Sequence, residues 1–70
     1  MEMVKITTDY ITLGQFLKFV NLASSGGHIK AILAEEIVRV DGEVETRRGR
    51  KLYPDMMVDI IDHGSFQITR

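Results

Sequence analysis

The chain has 70 residues, no cysteine and a formal net charge of −1. That length leaves room for one small domain with a thin core, since such a chain buries only about 60% of its unfolded surface. Disulfides and thiolate-bound metal are excluded as staples, and no apolar run approaches the ~18 residues a bilayer span requires.

The first ten residues include Glu2, Lys5 and Asp9 rather than a basic region followed by an apolar run, so no secretory leader is expected. With the lack of cysteine, this predicts a soluble, cytoplasmic protein. The total charge argues against a polyanionic partner, but its distribution does not. Residues 12–54 carry Lys18, Lys30, Arg39, Arg47, Arg48, Arg50 and Lys51 against Glu35, Glu36, Asp41, Glu43 and Glu45, whereas residues 55–70 carry Asp55, Asp59 and Asp62 against Arg70. Charges are screened over about 8 Å, so local clustering sets the field a ligand meets.

Met3-Val4-Lys5-Ile6-Thr7 alternates as a short strand, with Val4 and Ile6 on one face. Thr12-Leu13-Gly14-Gln15 has the spacing of a capping box. Leu13, Phe16, Leu17 and Val20 then recur at i, i+3, i+4 and i+7, predicting a helix from Leu13 to about Leu22 with Lys18 and Asn21 off its apolar stripe. Ser24-Ser25-Gly26-Gly27 breaks that helix and opens a second. The second runs from about Gly27 to Glu35, with Ile29, Ile32 and Leu33 inward and Ala31 and Ala34 permitting close packing.

Val38-Arg39-Val40 reads as a strand and Asp41-Gly42 as a hairpin turn. A two-residue turn would turn Val44 outward, so a longer loop pairing Val40 with Val44 is expected to keep all three valines inside. Thr46 to Lys51 is polar and basic and reads as a loop or exposed arm. Leu52-Tyr53-Pro54 returns to the core, with a turn at Pro54. Two strands follow, Met57–Ile61 and Phe66–Thr69, with Val58, Ile60, Phe66 and Ile68 inward. The four methionines are scattered and read as core filler or termini. Two helices on a small, mostly antiparallel sheet make an α+β fold.

Two groups of residues can hold an anion. Ser25, Gly26, Gly27, His28 and Lys30 surround the start of the second helix, where unbonded amides and the positive end of the dipole attract phosphate. The plainer reading is that Ser25 is only an N-cap. Arg47, Arg48, Arg50 and Lys51 can bind phosphate, the arginines in bidentate fashion. The plainer reading there is a solvated loop offsetting Glu43 and Glu45, although four cations in five positions exceed that local need. Lys18 flanks the second-helix turn, and Arg39 points outward from a strand. His28 has no second ligand nearby and reads as a hydrogen-bonding surface residue; His63 has no assigned role. Tyr53 either stacks on a base or edges the core. No nucleophile, metal or P-loop motif is present, and the adjacent Glu35 and Glu36 point to different helix faces, so no enzyme, cofactor or metal site is expected.

The order helix, serine-containing turn, helix, Val-x-Val-Asp-Gly, basic segment, strand resembles the S4 RNA-binding domain with its αL motif. Ile11 to Lys18, the Ser25-Gly26-Gly27 turn, Arg47 to Tyr53 and Gly64-Ser65-Phe66-Gln67 are similar to the small stand-alone S4 proteins of the YaaA-like branch. Many S4 domains carry Arg or Lys just after the serine, and Gly26-Gly27 here implies that backbone amides replace that contact. Glu36 stands where glycine is usual, and Asp55-Met56 where a Gly-Asp turn is common.

The resemblance implies one S4-like domain over residues 1–70, with an αL core at about 12–61. It implies non-catalytic binding of structured ribosomal RNA or ribosome-bound transfer RNA, mainly through phosphates and sugars. The implied RNA-binding residues are Lys18, Ser25, Gly26, Gly27, His28, Lys30, Arg47, Arg48, Arg50 and Lys51. Ribosomal proteins are further expected partners, with no cofactor, membrane or small-molecule substrate. The alternative is a protein-interaction module docking on a ribosomal or replication protein, and duplex DNA binding is compatible with charge alone.

Overall fold

Local capping decides where both helices begin and end. The computed structural model describes all of residues 1–70, and the first helix, α1, spans Leu13–Phe19. Its capping box is formed: the Gln15 amide donates to the Thr12 hydroxyl (3.3 Å) and the Thr12 amide to the Gln15 side chain (3.1 Å). Leu13, Phe16 and Leu17 are fully buried and Val20 partly so, each full burial contributing about 1.5–3 kcal/mol. The expected extension to Leu22 does not occur. Asn21 adopts a left-handed φ of 63°, its amide donates to the Lys18 carbonyl (3.0 Å), and the Leu22 amide donates to that of Leu17 (2.9 Å). This Schellman arrangement uses up the last carbonyls and stops the helix at Val20.

The second helix, α2, spans Gly26–Ala34, with Ser25 as N-cap and Glu35 as C-cap. Glu36 follows at φ 58°, the left-handed stop for which glycine is the usual residue. Ile29 and Leu33 are buried and Ile32 partly so. Ala31 and Ala34 are exposed, correcting the expectation that they pack against a neighbour.

Seven strands complete the chain: β1 (Glu2–Lys5), β2 (Ile11–Thr12), β3 (Val38–Val40), β4 (Glu43–Val44), β5 (Lys51–Leu52), β6 (Met57–Ile60) and β7 (Gly64–Thr69). Five of them form one sheet in the order β1-β7-β6-β3-β4, antiparallel except for the β1–β7 pair. Alternation along these strands buries Val4, Val38, Val40, Val58, Ile60, Phe66 and Ile68 in one core with the helix residues. The Phe16 ring meets Phe66 edge-on, with centroids 5.3 Å apart and planes at 82°.

The hairpin is tighter than expected. Arg39 pairs with Val44 and Val40 with Glu43, leaving Asp41 and Gly42 as a two-residue loop with φ of 50° and 90°. Positive φ at both positions is the type I′ geometry that matches the natural strand twist. Val44 is therefore turned out of the core and is 47% exposed. The turn is tied to β6, because the Met57 amide donates to the Asp41 carboxylate (2.8 Å).

A second, two-stranded sheet pairs β2 with β5, Ile11 opposite Leu52 and Thr12 opposite Lys51. It delivers the basic segment to the start of α1, and no helix of the protein is long and apolar enough to cross a membrane.

Candidate nucleic-acid interface

The basic loop is clamped rather than free. The Leu13 amide donates to the Arg50 carbonyl (2.8 Å) and the Gly14 amide to the Arg48 carbonyl (2.9 Å). Two of the donors that any helix start leaves over are thereby satisfied. The approach is close: a Cβ at Gly14 would stand 3.4 Å from the Arg48 carbonyl oxygen and 3.5 Å from Arg48 Cβ, at the near edge of ordinary contact. The Arg50 amide closes the turn on the Arg47 carbonyl (3.2 Å).

Inside the turn, Glu45 organises two of the four cations. Its buried carboxylate accepts from Arg47 Nε and Nη2, each at 3.0 Å, from Arg50 Nη1 at 2.9 Å, and from the amides of Thr46 and Arg47. The Arg47 side chain, hydrogen-bonded to it, holds the Glu45 carboxyl down to about 2; burial pulls the other way, and the Arg47 amide and Arg50 add to the lowering. Glu45 in turn raises Arg47. The charge-offsetting reading of the segment thus describes Arg47 and Arg50, although the Arg47 side chain stays 74% exposed.

Arg48 has no carboxylate partner. Its Nη1 lies 3.6 Å from where a Cβ on Gly26 would stand, which sets the guanidinium beside the start of α2. The Ser25 hydroxyl accepts from the His28 amide (3.2 Å) and the Ser25 carbonyl from Ile29 (3.0 Å). The amides of Gly26 and Gly27 have no acceptor within the protein. A cleft of about 270 Å³ opens here, with Thr12, Gln15, Lys18, Gly26 and Arg48 in its wall and Ile29 as its hydrophobic contribution. Arg48 also lines a second cleft of about 540 Å³ with Lys30, Leu33, Ala34 and Thr46. Lys18, Gly26, Lys30 and Arg48, drawn from three separate segments, therefore meet on one side of the molecule.

The remaining candidates surround this centre. His28 Nδ1 accepts from the Ser24 amide (3.3 Å), which places the neutral ring's proton on Nε2. Its role toward the backbone is a cap, and it shares a shallow depression with Lys18. Lys51 Nζ sits 4.9 Å from the centroid of the Tyr10 ring, which lies 5.8 Å from that of Tyr53. Tyr53 is a half-exposed surface aromatic. Thr46 and Tyr10 escaped the sequence reading as site residues, and Glu45 entered it only as a charge to be offset, not as the group that organises the turn. The signal for Glu45 was its position two and five residues before the arginines it binds.

A helix pair joined by a serine-capped turn, an Asp-Gly hairpin and a basic turn clamped on the first helix define a small S4-type domain. The chain belongs to the S4 domain family, which matches residues 4–69. It is similar to the probable ribosome maturation protein RlbA of Bacillus subtilis strain 168, at 49% identity over 66 residues covering 94% of this chain and 93% of that relative.

Proposed function

We propose that this protein binds structured RNA in the cytoplasm, ribosomal RNA or ribosome-bound transfer RNA, without catalysing a reaction. The whole chain acts as one S4 domain, with the αL motif as its gripping element. One observation carries the reading: Arg48, free of any carboxylate, shares a cleft with Lys18 and Gly26, whose amide, like that of the next residue, Gly27, is unbonded. Cationic side chains and oriented amides around a concave polar surface suit a phosphate group. The likeness to a probable ribosome maturation protein supports a ribosomal setting.

The grip differs from a bare four-cation arm. Arg47 and Arg50 hold the loop in shape through Glu45, while Lys18, Lys30, Arg48 and Lys51 have no ion-pair partners and face the phosphates. Four such contacts give a slope of roughly −3 to −4 in log K against log [salt]. Titrating ribosomal RNA fragments at several salt concentrations measures that slope, and a flat response removes the phosphate mechanism. Parallel titration with DNA of the same sequence asks whether the 2′-hydroxyl is read.

A further inference from the structure

The two clefts at Arg48 differ in character. The smaller is walled mainly by polar and charged groups, with Gly26 and its open amide among them. The larger runs along α2, floored by Leu33 and Ala34 and rimmed by Lys30, Thr46 and Arg48. Its volume of about 540 Å³ lies within the ~300–1,000 Å³ typical of small-molecule pockets. A phosphate has no use for the apolar floor, and a paired helix cannot lower a base into it.

We infer that this larger cleft receives one unpaired nucleobase of the bound RNA while the adjoining smaller cleft holds a neighbouring phosphate. The inference rests on the RNA-binding reading and deepens it. Arg48 lines both clefts; its backbone is held by the Gly14–Arg48 bond (2.9 Å), and its guanidinium is engaged in no ion pair. A planar guanidinium with no carboxylate partner can stack on a base, and apolar side chains can cover the other ring face. Thr46 and Lys30, which line the same cleft, supply a hydroxyl and an ammonium for the polar edge of the ring. The occupant chosen is therefore a bulged or looped-out nucleotide, and perfectly paired RNA satisfies only the smaller cleft.

The test uses two RNA hairpins of the same stem, one fully paired and one with a single unpaired adenosine replaced by 2-aminopurine. The intact protein is expected to bind the bulged hairpin about tenfold more tightly, equivalent to about 1.4 kcal/mol and within the range for stacking one base, with a change in 2-aminopurine fluorescence. Ala34→Phe fills the floor from an exposed helix position and should bring the two affinities together. Equal binding of both hairpins by the unaltered protein, with the expected salt slope, overturns the unpaired-base inference and leaves the phosphate mechanism standing. So does a bulge preference that survives in Ala34→Phe. Binding to neither hairpin overturns both.

Discussion

The two helices begin alike and are finished differently. Each has a hydroxyl N-cap and glycine in its first turn: Thr12 before Leu13-Gly14 in α1, Ser25 before Gly26-Gly27 in α2. In α1 the amides of Leu13 and Gly14 are consumed by the carbonyls of Arg50 and Arg48. In α2 the corresponding amides of Gly26 and Gly27 are left without an acceptor, and the side chain of Arg48 stands beside Gly26. Arg48 thus helps to close the first helix with its backbone and equips the second with its charge. The first N-terminus contributes stability, and the second leaves its donors available to a ligand.

Proline tests that division most harshly at the closed end. In Gly14→Pro the amide that reaches Arg48 is lost, the ring enters space where a Cβ already meets a backbone oxygen at 3.4 Å, and Leu13 is pushed away from helical geometry. A lost hydrogen bond and overpacking together should cost about 2–5 kcal/mol, read by thermal or urea unfolding. An unchanged transition would mean that the clamp contributes nothing.

The clamp also depends on Glu45, and Glu45→Gln should cost about 2–3 kcal/mol near neutral pH, since charge-assisted hydrogen bonds are lost. In a domain this small the melting temperature would fall by roughly 10–20 °C. The pH dependence has a fixed sign. Folding holds the Glu45 carboxyl at about 2 against an ordinary 4.5, so its contribution is complete above the ordinary value and is lost as the pH falls towards 2. Melting curves between pH 6 and pH 2, run for both proteins, should converge at the acid end. Parallel curves would show that another carboxylate governs acid unfolding.

At the open end, Arg48→Ala should weaken RNA binding roughly 10–100-fold, the loss expected for charged hydrogen bonds. The salt slope should become shallower by about 0.7–0.9. Stability should stay within about 0.5 kcal/mol, because the clamp at this residue uses its carbonyl. Loss of stability without loss of affinity would reverse the assignment of the two ends.

The sequence marked the elements of this arrangement better than their partners. The Thr12–Gln15 box and the Leu13, Phe16, Leu17 stripe were legible because they act over three or four residues, where local chemistry decides. The hairpin was misread because an apolar Val44 was given more weight than Asp41-Gly42, whose left-handed backbone fixes a two-residue loop. Nothing lies over β4 at the sheet edge to reward burying that valine. The basic run was visible, but four adjacent cations look equivalent until a buried carboxylate selects among them. The closeness of Arg48 to Gly26 depends on the turn's being laid across α1, a contact between segments more than twenty positions apart.

The smallest and most discriminating test lies at Gly26. It is the first residue of α2, where proline is well tolerated, and Ser25 before it is already extended at φ −149° and ψ 166°, as a residue preceding proline should be. Gly26→Pro therefore removes one unbonded amide while restricting the unfolded chain, and should raise stability by about 0.4–1 kcal/mol. If that amide meets a phosphate, affinity should nevertheless fall roughly three- to tenfold. Gly26→Ala is the control for bulk: it keeps the amide and adds a Cβ at 3.6 Å from Arg48 Nη1, an ordinary contact. Weaker binding in the proline variant alone assigns the loss to the amide. Equal weakening in both assigns it to crowding of Arg48, and the open N-terminus would then owe its role to that side chain rather than to its own backbone.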